Sequence, residues 1–176
     1  MTRAPAFDGL LVGTFRMHRR GGFGFPQYEL LDHGTRVAAL GRDSSLNIML
    51  GRGRRVLLAN GVEWRIKGVS SGPYIVPVIR SRDGTVARSG PLTGRRIYGI
   101  VGADFANTVF PLNRAGVMQS QHWGIREREL DVGRIDQSAG SLEAHQPIHI
   151  ATVLLAFALI EHGIPGEAKL RPIGDG

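Results

Sequence analysis

The segment Ile148 to Glu167, IHIATVLLAFALIEHGIPGE, constrains this chain more than any other stretch. Its centre, Ile150 to Ile160, is apolar on every helical face, with Thr152 as the one exception. The flanking residues are helix punctuation: Pro147 suits a first turn, Gly163 a left-handed cap, and Pro165 forbids continuation. They predict a helix over about 147–162. A helix with no polar face has to be surrounded, by lipid or by protein. Ile150 to Ile160 rises only about 16 Å, against a hydrocarbon core of about 30 Å. Extending it meets Pro147 and His149 on one side and Glu161 and His162 on the other, so the chain is not expected to be transmembrane. The sheath has to come from the rest of the chain. Thr152 fits such a site if its hydroxyl bonds back to a carbonyl one turn earlier.

The stretch from about 10 to 136 supplies the material. Short runs of Val, Ile, Leu and aromatics are cut by Gly, Asn and Asp at close intervals, which is an all-β pattern. VLLANGVEWRIKG, Val56 to Gly68, reads as a hairpin with Asn60-Gly61 in a type I′ turn and with Val62, Trp64 and Ile66 on the core face. YELLDHGTRVAAL, VIRSRDGTVARSG and FPLNRAGVMQSQ each start apolar and carry a glycine six places on, at Gly34, Gly84 and Gly116. WGIRERELDVGRID repeats the alternation without that glycine. The runs number about a dozen, too many for one small open sheet. A helix with its side chains is about 10 Å across, which fits inside a barrel of eleven or twelve strands and not inside one of eight. The expected fold is therefore mainly β: a closed antiparallel barrel of about twelve strands around a central, buried C-terminal helix. It forms one domain over 1–176, with a short tail over 163–176.

Strand-turn-strand units followed by an aliphatic helix, ATVLLAFALIEH, resemble the tubby-like superfamily. Within it, YELLDHGTRVAAL and the acidic helix end LIEH are most similar to the phospholipid scramblase and LURP-one-related branch. The likeness runs from about Arg16 to Glu167 and implies a twelve-stranded barrel enclosing a hydrophobic helix. It also implies a lipid-directed binding role, since tubby-type members hold phosphoinositides through basic side chains. Two features depart from the scramblase pattern. The chain has no cysteine to palmitoylate, and DVGRIDQSAGSLEAHQP offers only Asp131, Asp136 and Glu143, without the alternating oxygen ligands of a calcium site.

Charge and side-chain chemistry narrow the function classes. The absence of cysteine excludes a disulfide framework, a thiolate zinc site and a thiol nucleophile. The net charge is +7, and Lys67 and Lys169 are the only lysines, an arginine bias that fits a GC-rich bacterial genome. Such a balance favours contact with anionic surfaces. The arginines cluster as RMHRR (Arg16 to Arg20), GRGRR (Gly51 to Arg55), RSR (Arg80 to Arg82) and GRR (Gly94 to Arg96). GRGRR is the best phosphate candidate, because guanidinium forks match phosphate oxygens and adjacent glycines expose backbone N–H groups. It lacks the Gly-Lys-Ser/Thr of a Walker loop.

His145 and His149 have helical zinc spacing, but Pro147 lies between them and no third ligand is evident, so no metal is expected. RERELD reads as a strand face with cross-paired charge, and GGFGFP as a loop pinned by Phe23 and Phe25. With 7% aromatics, nucleic acid is not an expected partner.

The resulting expectation is a non-catalytic binding module, cytoplasmic and peripheral to the membrane, that takes an anionic lipid headgroup or a phosphorylated ligand. Arg52, Arg54, Arg55, Arg95 and Arg96 are the assigned ligand contacts, and no catalytic residue or cofactor is assigned. Ile150, Val153, Leu154, Phe157, Leu159 and Ile160 are the expected central-helix core. The alternatives are a protein-interaction or structural module, a lipid scramblase, and an enzyme of unknown reaction.

Overall fold

The computed structural model describes residues 9–20, 27–41, 53–71, 74–90, 97–112 and 122–161. They form twelve strands and one helix. The first six strands are β1 (Leu10–Arg20), β2 (Gln27–Asp32), β3 (Thr35–Leu40), β4 (Arg54–Leu58), β5 (Glu63–Ser71) and β6 (Tyr74–Arg80). The rest are β7 (Thr85–Ser89), β8 (Tyr98–Gly102), β9 (Ala106–Pro111), β10 (His122–Glu127), β11 (Leu130–Asp136) and β12 (Ser141–His149), followed directly by α1 (Ile150–Glu161). Every strand pairs antiparallel with its sequence neighbours. β12 returns to β1, with Leu11 opposite Ile148 and Phe15 opposite Leu142, and the barrel closes. Closure removes the unpaired edges that an open sheet would present.

Period-two alternation puts one row of each strand inside. In β4, Arg54, Val56 and Leu58 are buried and Arg55 is exposed; in β5, Trp64 and Ile66 are buried and Arg65 is exposed. Leu30, Ile79, Ile100, Ile125, Ile135 and Leu142 are fully buried inward residues of six different strands. They enclose α1, in which every residue from Ile150 to Ile160 is buried and none exceeds the 8% exposure of Phe157. The expected core set of Ile150, Val153, Leu154, Phe157, Leu159 and Ile160 is buried in full. Outside, Arg16, Arg65, Arg88, Arg134 and Glu143 are exposed. A charged wall around an apolar interior is the reverse of the lipid-facing apolar band that a membrane barrel carries. No helix among the described residues is long and apolar enough to cross a membrane.

Local details depart from the sequence-based expectations. α1 begins at Ile150, and Pro147 belongs to β12 instead of the first helical turn. Between the pairs Leu11↔Ile148 and Gly13↔Ala144, the single residue Val12 faces His145, Gln146 and Pro147, which is a bulge. A proline is tolerated there because the bulge needs no ladder donor from it. His149, not a proline, starts the helix: its Nδ1 accepts the Ala151 N–H at 3.2 Å, and the Gly9 carbonyl accepts the Ile150 N–H at 2.7 Å. Two of the N–H groups that a helix start leaves open are thereby satisfied.

The Asn60-Gly61 hairpin is present, but its turn is not type I′, because only Gly61 has a positive φ, at 84°. The Leu58 carbonyl accepts from Gly61 N–H at 3.0 Å and Leu58 N–H donates to the Val62 carbonyl at 2.9 Å. This is a three-residue loop, a type I turn followed by a left-handed glycine. The two-residue type I′ geometry occurs instead at His33 (φ 45°) and Gly34 (φ 84°), between β2 and β3. Gly116 lies outside the described residues.

Thr152 does not bond back along its helix. Its Oγ1 donates to Oδ1 of Asn107, on β9, at 2.8 Å, and both residues are buried. This bond ties the peg to the wall at one height. Thr152→Val strands the Asn107 carbonyl oxygen and is expected to cost about 1–3 kcal/mol by urea unfolding. The double variant Thr152→Val/Asn107→Leu is expected to recover most of that loss, and additive losses would show that the pair does not act together. Leu155→Ala, at a fully buried helix position, is expected to cost about 2–5 kcal/mol by the same measurement.

Candidate functional site

An antiparallel meander sorts its connections onto two ends. At one end are the short turns at His33–Gly34, Ala59–Gly61, Ser81–Gly84 and Arg128–Glu129, together with the start of α1 against Gly9. The other end collects the C-termini of the odd strands and the N-termini of the even ones. α1 runs towards it, and Phe157 and Ile160 help to line a cavity of about 420 Å³ there. The remaining lining residues are Met17 and Arg19 of β1, Tyr28 of β2, Leu40 of β3, and Gln137 to Gly140 between β11 and β12.

Each lining side chain follows from its strand position. Leu11 and Phe15 face the interior of β1, and the same alternation brings Met17 and then Arg19 inward as the strand leaves the barrel. Arg19 is exposed at the lip, opposite Tyr28 in register, and Tyr28 is opposite Leu40. The wall of the cavity is therefore apolar towards the core and cationic at the rim. The β11–β12 turn closes the side next to β1. The Gly140 carbonyl accepts the Met17 N–H at 2.6 Å, and with φ at 59° a Cβ on Gly140 would press within 2.8 Å of the Met17 carbonyl oxygen. Only glycine lets the two segments approach so closely there.

Asp136 sets the shape of that turn. Its Oδ1 accepts from the Ser138 hydroxyl at 2.6 Å and from the Ala139 N–H at 3.0 Å, while Oδ2 lies 3.8 Å from His122 Nδ1. The Ser138 hydroxyl, then the Ala139 N–H, hold its carboxyl below the usual carboxylate range.

The arginines assigned from sequence do not share one face. Arg52, Arg95 and Arg96 lie outside the described residues. Arg54 and Arg55 are adjacent in β4 and so point to opposite sides of the wall. Arg54 is only 4% exposed; its Nε donates to the Gly41 carbonyl at 2.9 Å, and its guanidinium lies 5.1 Å from the centre of the Tyr28 ring. Arg55 stands outside and pairs with Glu63 at 2.7 Å. Gly53 has a positive φ of 68°, and a Cβ there would collide with the Ile66 carbonyl, so this glycine serves the β4–β5 contact.

In RMHRR, Arg20 pairs with Glu29 at 2.9 Å. Arg19 has no carboxylate within ion-pair distance among the described residues. Arg80 to Arg82 lie at the short-turn end, away from the cavity. RERELD is a cross-paired strand face as expected, with Arg126 Nε 2.9 Å from Asp131 Oδ1. Sequence reasoning missed Arg19 as the inward-facing member of its cluster, although counting by twos from Phe15 identifies it. It also missed Gln137 to Gly140, which become neighbours of β1 only when the barrel closes.

His145 and His149 both lie in β12, so their spacing is not that of one helical face. His149 stacks on Phe105 with ring centres 4.2 Å apart. Among the described residues no three His, Asp or Glu side chains are grouped to hold a metal ion. The chain matches no protein-family model, no curated protein and no solved structure.

Because its folded-state pKa is depressed, the contribution of Asp136 to stability is present above the pKa of an unfolded aspartate. It is lost as pH falls through the lower folded value. NMR titration of the Asp136 carboxyl carbon is expected to give a midpoint below that of a model aspartate. A midpoint at or above the model value would contradict the hydrogen-bonded turn.

Proposed function

We propose that this chain is a non-catalytic binding module of the scramblase and LURP-one-like type that its sequence pattern resembles. It takes an anionic, phosphate-bearing ligand at the cationic mouth of the barrel. The observation that carries this reading is Arg19: an exposed guanidinium beside a cavity, with no carboxylate to neutralise it among the described residues. Tyr28, which lines the same cavity, is held from behind by the buried Arg54 guanidinium, 5.1 Å from its ring centre. On the outer wall, Arg55 and Arg65 share Glu63, Arg20 and Arg36 share Glu29, and Arg16, Arg88 and Arg134 stand exposed with no cavity beside them among the described residues. The paired and solvated ones attract anions far less. The non-catalytic reading rests on α1, which occupies the interior where a barrel enzyme would hold its substrate.

Vesicle sedimentation tests the proposal. Vesicles containing phosphatidylserine are expected to carry down more protein than phosphatidylcholine vesicles at moderate salt, with the difference shrinking as salt is raised. Arg19→Glu is expected to reduce that difference. Equal sedimentation with both vesicle types would overturn the reading.

A further inference from the structure

We propose that the mouth cavity is a binding site for a free single-chain amphiphile, with its alkyl chain on α1 and its anionic headgroup at Arg19. This rests on the reading of the mouth as an anion site and adds what that reading lacks, a place for apolar substance. The cavity is two-sided. Its floor is Met17, Leu40, Phe157 and Ile160, side chains continuous with the barrel core. Beside that floor lies the polar turn over Gln137 and Ser138, and the lip is Arg19. An inorganic ion would leave that floor uncovered, and a neutral hydrocarbon would leave the guanidinium without a partner. A molecule carrying both parts satisfies both surfaces.

Size selects the chain number. A volume of about 420 Å³ lies near the lower end of the range of about 300–1,000 Å³ for small-ligand sites, room for one alkyl chain. Electrostatics select the headgroup position. α1 ends towards this mouth, and the carbonyls of its last turn carry about half a negative charge along the axis. An anion is therefore disfavoured on the helix axis and favoured at the β1–β2 lip. There Arg19 supplies a full charge.

The test is calorimetric titration of the full chain with inorganic phosphate, butyl, hexyl and octyl phosphate, and octyl glucoside, each below its micellar concentration. Affinity is expected to rise about fourfold per methylene along the alkyl phosphate series. Ala139→Trp fills the cavity from an exposed turn position and is expected to abolish the dependence on chain length while leaving the folded circular dichroism unchanged. Arg19→Gln is expected to bring octyl phosphate down to the level of octyl glucoside. If inorganic and octyl phosphate bind alike and Ala139→Trp changes neither, the amphiphile site is overturned while the anion site stands. If octyl glucoside binds the unaltered protein as tightly as octyl phosphate, the headgroup role of Arg19 is overturned. If nothing in the series binds, both proposals fall.

Discussion

A helix that is apolar on every side has one structural requirement, and this molecule is organised around meeting it. Its backbone bonds are satisfied internally, but its side chains demand an enclosure with no gap. A sheet can supply that only by closing on itself, and a closed sheet wide enough for a helix needs about the number of strands found here. The dependence runs in both directions. Without α1, the inward rows headed by Leu30, Ile79, Ile100 and Ile125 would line an apolar void, and a void of helix width cannot be closed by side-chain adjustment. The bond from Thr152 to Asn107 adds position to this mutual burial, since apolar packing alone is non-directional.

Much of this was legible in the amino-acid order because the signals are periodic and redundant. Alternation over Val56 to Gly68, the glycines after Leu31 and Arg82, and the unbroken run after His149 each point to one local geometry. Boundaries were less legible. Pro147 carries the same local preference in a first helical turn and in a β-bulge, and the decision falls to the pairing with Leu11 and Gly13, over a hundred residues away. The Asn60-Gly61 turn shows the same limit on a smaller scale, because the dipeptide tolerates two loop lengths and the strand register selects one.

The candidate site was harder to read, for a related reason. Sequence clusters count charges that are adjacent along the chain, whereas a strand sends neighbours to opposite faces. Arg54 and Arg55 read as a pair and are divided by the thickness of the sheet. Arg19 looked like one arginine among several, and becomes distinctive only because Arg20 is neutralised by Glu29 and because Phe15 establishes which parity faces inward. The polar turn beside β1, Gln137 to Gly140, has no local signature of a site at all.

α1 is made after all twelve strands, and the β1–β12 seam joins the first strand to the last. On a ribosome, the hairpins emerge one by one with nothing to pack against, their inner rows wet until the plug appears. Vectorial synthesis thus delivers the core after its wall, and closure of the barrel waits until α1 has followed the twelfth strand.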